Sequence, residues 1–194
     1  MFKDLRDVIE IDLSNFISNS VIDTSSMFQN CSQLSSLNLN GFSTPLVTKM
    51  NSIFIGARNL VRFDINNFDT SNVIDFRNLF SSCHRMYSID VSNFVSSKGT
   101  NMAQMIRDCL VLTSLDLSNF DTSLVTSMYV MFGFCWELSS LNLSGLKTGR
   151  VVYFGYVFES CNSLSSIDVS HFDVSSAKFF MGMFQTNPSL QVVN

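Results

Sequence analysis

Charged residues are scarce in this chain, and their scarcity narrows the range of partners. Only 14% of the 194 residues are Asp, Glu, Lys or Arg, and the formal net charge is −4. Nucleic-acid binding needs clustered Lys and Arg that displace counterions from phosphates, so the composition argues against a nucleic-acid partner. The sequence also lacks the roughly 18–20 consecutive apolar residues of a membrane span, which argues against membrane insertion of this segment.

The residue groupings that carry catalysis or hold a cofactor are also missing. The sequence has no Gly-rich phosphate loop and no His-x-x-x-His pair, and its two histidines, His84 and His171, are far apart. We therefore predict a protein that is not an enzyme and has no cofactor. The cysteines occur one per repeat, too widely spaced for a metal site or a disulfide, so we expect buried free thiols and no bound metal.

What the sequence has is a period of 26 residues, held without insertion or deletion. Such a period is typical of a solenoid, in which each unit packs only on its neighbours. We therefore predict one repeat domain over residues 1–194, with about seven units of 26 residues. Both ends fall inside a repeat, which suggests part of a longer array. The columns that define the period are Phe28, Phe54, Phe80, Phe132, Phe158 and Phe184, and Cys31, Cys83, Cys109, Cys135 and Cys161.

One unit, residues 60–85, predicts the local structure. Apolar residues alternate at Phe63 and Ile65, as in a short half-buried strand. Apolar residues then recur at a spacing that fits one stripe of an α-helix about three turns long. The predicted fold class is therefore α/β, a solenoid with a parallel β-sheet on the concave face and helices on the convex face. The helical stripe comprises Val73, Phe76, Leu79, Phe80 and Cys83.

The strand segments LSSLNLNGF (34–42) and LTSLDLSNF (112–120) resemble the leucine-rich repeat. The longer segment LTSLDLSNFDTSLVTSMYVMFGFC (112–135) is similar to the BspA-like repeats of bacterial and protist surface proteins. This resemblance implies a secreted or surface-exposed module for adhesion or host interaction. The start of the chain lacks the layout of a signal peptide and the thiols are predicted to be free, so a cytoplasmic location is the alternative.

Residues that depart from the repeat are the first candidates for a binding site. Trp136 and Leu110 occupy a turn position that is polar in most repeats, and Phe134 lies close by in the sequence. Exposed aromatic clusters often anchor partners, although longer polar neighbours could equally cover these side chains. Three tyrosines complete this set of candidates: Tyr129, Tyr153 and Tyr156.

A second candidate is an acidic ladder on the predicted concave sheet. Asp64, Asp90 and Asp116 are aligned in successive repeats with no Asn between them. Like charges opposed across strands repel, so a cation or a basic partner could settle there. The alternative is a solvated polar face whose carboxylates bond to nearby hydroxyls.

These observations favour a non-catalytic scaffold for protein interaction or adhesion. Its expected partner is a protein, such as a host or surface component, bound on the solenoid surface. Two alternatives stay open: a structural subunit that self-associates end to end through its terminal repeats, and a glycan-binding module.

Overall fold

In the computed structural model, which describes all 194 residues, the chain winds into a stack of coils. Equivalent residues of neighbouring coils are 26 positions apart and pair in parallel, as Ile11 does with Leu37 and Leu115 with Leu141. We number the coils in chain order. Coils 1 to 7 comprise residues 8–33, 34–59, 60–85, 86–111, 112–137, 138–163 and 164–189. The strand face is formed by residues 34–42 of coil 2 and their equivalents, and the turn face by residues 48–56 and their equivalents.

The strand face contains six short β-strands. They pair as three separate two-stranded parallel sheets, β1 with β2, β3 with β4, and β5 with β6. Central residues such as Ile11 and Leu115 are buried between exposed neighbours, as the predicted alternation requires. The strand predicted at Phe63 and Ile65 of coil 3 is not formed, although Ile65 is buried. The strands are β1 (Glu10–Asp12), β2 (Ser36–Asn38), β3 (Ser114–Asp116), β4 (Ser140–Asn142), β5 (Ser166–Ile167) and β6 (Val192–Val193).

The predicted helices on the other face are wrong, because the chain forms no α-helix. The residues of the predicted helical stripe are all buried, but the backbone between them is a series of turns. Asn78 and Ser82 adopt left-handed backbone angles, with φ of 55° and 59°, which no α-helix tolerates. Asn78 also donates its N–H to the Ala103 carbonyl of the next coil at 3.1 Å. In the turns, backbone N–H groups therefore bond to carbonyls of the next coil, whereas in a helix they would bond within the same segment.

The turn face, rather than the strand face, carries the continuous ladder. Parallel bridges connect the equivalent residues of all seven coils: Asp23, Lys49, Asp75, Asn101, Ser127, Tyr153 and Phe179. Further bonds follow along the turns, such as Phe28 N–H to Ile53 O at 2.9 Å and Phe80 N–H to Met105 O at 2.9 Å. The continuous sheet predicted for the strand face is therefore wrong as well, and with it the basis for calling that face concave.

Two glycines explain two of the three strand pairs. A Cβ atom on Gly41 would lie 2.5 Å from the Ser14 carbonyl oxygen, and one on Gly145 would lie 2.1 Å from the Ser118 carbonyl oxygen. Only glycine allows so close an approach of the two backbones. These two approaches coincide with the β1–β2 and β3–β4 pairs.

At the open junctions, a larger side chain stands at the position of these glycines. Asn93 donates to the Asn66 carbonyl at 2.8 Å, and Asn119 donates to the Ser92 carbonyl at 2.8 Å. Asn67 and His171 make the corresponding contacts in their coils, with the Leu39 and Leu143 carbonyls. At these junctions the strand segments of neighbouring coils share no ladder of backbone hydrogen bonds. The Asn and His side chains bond to a carbonyl of the preceding coil instead, and they occupy the space between the two segments.

The two predicted columns, of phenylalanine and cysteine, lie in the interior among other buried apolar residues. Rings of the first phenylalanine column stack almost parallel with centroids 5.4–5.6 Å apart, as in Phe2 on Phe28 and Phe132 on Phe158. Each cysteine donates its Sγ–H to the carbonyl of the preceding coil's column residue, at 3.0–3.3 Å. Burial raises the pKa of Cys161 to about 12. All five thiols are free and buried, as predicted.

Candidate functional site

The turn face carries a tyrosine cluster on coils 5 to 7, which we define as Tyr129, Tyr153, Tyr156 and Phe179. The rings of Tyr153 and Phe179 are stacked with centroids 4.8 Å apart and planes within 3°, and Tyr129 meets Tyr156 edge-on at 6.1 Å. Tyr129 is 40% and Tyr153 45% exposed. The structure therefore brings three of the predicted aromatic residues together on the surface, with the hydrophobic rings open to solvent.

The backbone ladder determines this stacking. Ser127, Tyr153 and Phe179 are bridged in succession on the turn face. Neighbouring strands of a ladder lie ~4.8 Å apart, which matches the separation of the Tyr153 and Phe179 rings. The two side chains therefore project in register from a rigid base, and little conformational freedom is left to lose on binding.

Two of the predicted aromatic residues occupy strained backbone positions. Tyr156 has φ of 60° and Phe134 has φ of 64°. Bulky residues rarely adopt this left-handed region, at a cost of roughly 1–2 kcal/mol each. Other coils place Ser26, Ser52, Asn78, Gln104, Val130 and Gly182 at the position of Tyr156, and Asn30, Gly56, Ser82, Asp108, Ser160 and Thr186 at that of Phe134. Most of these residues are small or polar, so the two rings stand out from their columns. Both rings pack on neighbours, Tyr156 edge-on to Tyr129 and Phe134 beneath Arg107.

A groove of about 450 Å³ runs beside the tyrosine cluster. Its floor is formed by small residues of coils 4 and 5, including Ala103 and Ser127, and Tyr129 and Tyr153 flank it on one side. Arg77 closes the other side and is held by Asp75, with Nη2 2.9 Å from the carboxylate. In the column that holds Arg77, Ala103 and Tyr129, the small Ala103 of coil 4 lies between two long side chains, and this leaves room for the groove.

The remaining aromatic candidates form a second feature, the tryptophan corner of Leu110, Phe134 and Trp136. Trp136 is 48% exposed, whereas Leu110 and Phe134 are partly buried. The Arg107 guanidinium lies over the Phe134 ring, 5.1 Å from its centroid, in a cation–π contact. Leu110 and Trp136 are in register on adjacent coils, and the Leu110 carbonyl accepts a hydrogen bond from Glu137 N–H at 3.3 Å.

The acidic ladder of Asp64, Asp90 and Asp116 is exposed on the strand face. Each carboxylate accepts a hydrogen bond from the N–H two residues later, at 2.8–3.0 Å. These bonds from Ser92 and Ser118 lower the pKa of Asp90 and Asp116 below the ordinary value. The carboxylates thus close turns, a structural task that the sequence pattern alone did not show.

The ladder also lies where the strands are open. Asp64, Asp90 and Arg62 line an opening of about 440 Å³ between coils 3 and 4. No group of three His, Cys, Asp or Glu side chains is placed so that it could hold a metal ion. We therefore rank the tyrosine cluster above the acidic ladder as a candidate binding surface.

Sequence reasoning missed the polar half of the site. Arg77 and Gln104 line the groove, and Arg107 supports Phe134, but none of the three stood out as a candidate. A signal was present for Gln104, which stands where two earlier coils have Ser26 and Ser52. Its importance depends on the groove, which no single column of the sequence reveals.

The coils and their exceptions define a repeat protein that presents a rigid, aromatic-rich surface. A family model described as "Mycoplasma protein of unknown function, DUF285" matches residues 1–115 and 100–192. The chain therefore belongs to the DUF285 family. None of the curated proteins compared with the chain matches it.

Among solved structures, the chain is similar to a leucine-rich repeat protein from Bacteroides ovatus ATCC 8483. The two chains are 16% identical, the alignment covers 99% of this chain and 76% of that one, and the TM-score is 0.25. This score is too low to equate the two folds. Since the chain forms no α-helix, it also has none that could span a membrane.

Proposed function

We propose that this protein is a non-catalytic binding scaffold that attaches to a protein on a host or cell surface. The tyrosine cluster carries this proposal, because the exposed rings of Tyr129 and Tyr153 interrupt columns that hold polar residues or alanine in the preceding coils. Tyrosine is enriched in the residues that dominate binding energy, since a ring buries a large area at a low entropic cost. Its stacking on the backbone ladder makes the surface ready to bind without rearrangement.

The cysteine and histidine side chains are all engaged in contacts within the fold. All five thiols are buried, and burial raises the pKa of Cys161 to about 12, so it stays protonated at neutral pH. His84 Nε2 contacts the Asp108 carboxylate at 3.0 Å, and His171 Nε2 bonds to the Leu143 carbonyl at 3.0 Å. This arrangement supports a role in binding rather than in catalysis.

The test is the adhesion of protein-coated beads to cultured epithelial cells. Beads that carry the wild-type chain are compared with beads that carry the double variant Tyr129→Ala and Tyr153→Ser. These substitutions reproduce Ala103 and Ser127, the residues at the equivalent positions of the preceding coils. The fold should therefore persist, and we expect adhesion to fall about tenfold or more, as for the loss of binding hot spots.

The matched control is the double variant Asp64→Asn and Asp90→Asn, which reproduces Asn38 on the strand face. We expect this control to adhere like the wild type. Equal adhesion of the tyrosine variant would contradict the proposal, and selective loss in the control would move the site to the acidic ladder. Growth of the free chain into filaments with concentration, without adhesion, would favour the end-to-end assembly alternative.

A further inference from the structure

The groove beside the tyrosine cluster has unused hydrogen-bonding capacity. The Gln104 amide, the Asn101 Nδ2 group and the hydroxyls of Tyr129 and Tyr153 make no hydrogen bond within the protein, although all four residues line the groove. The Ser127 hydroxyl accepts one bond, from Tyr129 N–H at 3.4 Å, and its proton is free to donate. The groove therefore offers both hydrogen-bond donors and hydrogen-bond acceptors, all carried by the turn face.

The charge in the groove is balanced. Arg77 is its one charged lining residue, and its Nε and Nη2 atoms lie 2.9–3.1 Å from both oxygens of Asp75. The ion pair as a unit is neutral, so the groove does not select a phosphate, a sulfate or an acidic peptide by charge. The guanidinium still has N–H groups that point away from Asp75 and can donate to an uncharged oxygen.

The shape of the groove and its exposed tyrosine rings further restrict the kind of ligand that fits it. The groove is shallow and open, with the half-exposed rings of Tyr129 and Tyr153 along one side. A matching ligand has flat apolar patches for the rings and many hydroxyl groups for the amides, with no net charge. An apolar helix would leave the amides unsatisfied, which costs about 1–3 kcal/mol for each buried group.

We propose that this groove binds a neutral oligosaccharide carried by the surface partner. The inference rests on the proposed function, because Tyr129 and Tyr153 serve both, and it specifies the chemical class that they recognise. The rings stack against the apolar faces of sugar rings, while Gln104, Asn101 and Arg77 bond to hydroxyl groups. The competing outcome in the experiments below is that the groove binds the polypeptide of the partner and not its oligosaccharide.

The first experiment applies the full chain to a glycan array that includes neutral, sialylated and sulfated glycans beside a lectin of known specificity. We expect binding to neutral glycans. Tyr129→Ala and, separately, Gln104→Ser should each weaken it about tenfold or more. Gln104→Ser reproduces Ser52, which adopts the same left-handed backbone in coil 2, so the coil should be preserved. Ser114→Ala, on the strand face, is the matched control and should bind like the wild type.

The inference is overturned if the lectin binds and the chain binds no glycan, if only charged glycans bind, or if both groove variants bind normally. A second arm separates this failure from failure of the proposed function. Cells are treated with periodate, which cleaves the vicinal diols of sugars, before bead adhesion is measured. Adhesion that survives periodate but is lost in the tyrosine variant leaves a protein-binding scaffold and removes the oligosaccharide. Loss of adhesion after periodate supports the inference.

Discussion

The closest approach of two coils, at Gly145, gives the sharpest test of how the strand face is built. A Cβ atom at this position would lie 2.1 Å from the Ser118 carbonyl oxygen, whereas real Cβ atoms essentially never come within 3.0 Å of such a group. The Gly145→Ala substitution must therefore separate coils 5 and 6 by about 0.9 Å at this point. The Cβ atom is fixed by the backbone of residue 145 and the oxygen belongs to the backbone of Ser118, so no side-chain rotation can relieve the contact.

The consequence can be estimated from the hydrogen bonds nearby. Leu117 N–H donates to the Asn142 carbonyl at 2.9 Å, and the Ser139 and Ser140 N–H groups share the Thr113 carbonyl at 3.0 and 3.2 Å. A separation of this size takes these bonds beyond hydrogen-bonding range. At roughly 0.5–1.5 kcal/mol each, the loss of three bonds lowers the free energy of unfolding by about 1.5–4.5 kcal/mol.

Urea denaturation measures this loss, and hydrogen exchange at the Leu117 amide locates it. Gly149→Ala is the control in the same coil, because its Cβ would meet only the Asp173 carboxylate, at 2.9 Å, and that exposed side chain can move away. We expect the control substitution to lower the free energy of unfolding by less than about 0.5 kcal/mol. Equal stability and equal Leu117 protection in Gly145→Ala and the wild type would refute the explanation of strand pairing.

Three further predictions follow from the same contacts. Asn93→Gly removes the side chain that separates coils 3 and 4, so we expect new protection of backbone amides in residues 87–91 by hydrogen exchange; unchanged exchange would contradict this. Burial raises the pKa of Cys161 from 9.0 to about 12, so its contribution to stability is present below pH ~9 and is lost as the pH rises towards 12. At pH ~10 the free energy of unfolding falls by about 1 kcal/mol for this reason, and urea denaturation under reducing conditions should show that the Cys161→Ala variant lacks this contribution to the fall. The Ser118 N–H lowers the pKa of Asp116 below 3.8, so its contribution is present above that pH and is lost as the pH falls below it. Asp116→Asn should keep its stability at neutral pH, as Asn142 does in the same turn, and should lose less in acid; an unchanged acid midpoint would argue against this.

The repeat and its interior could be predicted from the sequence because burial follows residue type. Phe80, Cys83 and Val73 are fully buried, as their columns indicated. The helix prediction failed because the buried spacing fits a series of turns as well as it fits a helix. A partial signal lay in the polar residues between, since Asn adopts left-handed angles at lower cost than most residues, as Asn78 does.

The breaks in the strand face were not predictable from patterns of burial. They depend on whether one exposed position holds a glycine, as at Gly41, or an asparagine, as at Asn93. Both residues are common in turns, so neither stands out when a single repeat is read alone. The physical difference appears only between coils, where glycine admits a neighbouring carbonyl and asparagine bonds to it.

The two faces differ in their suitability for binding, and the difference follows from the ladder. On the turn face, unbroken bridges hold Tyr153 and Phe179 in register, and their rings stack at 4.8 Å. On the strand face, the carboxylates of Asp64 and Asp90 flank an opening and are already bonded to their own turns. A surface fixed by the backbone loses less freedom on binding than one that spans a gap. On the proposed function, the strained backbone of Tyr156 serves the same surface, because its ring packs edge-on against Tyr129 at 6.1 Å.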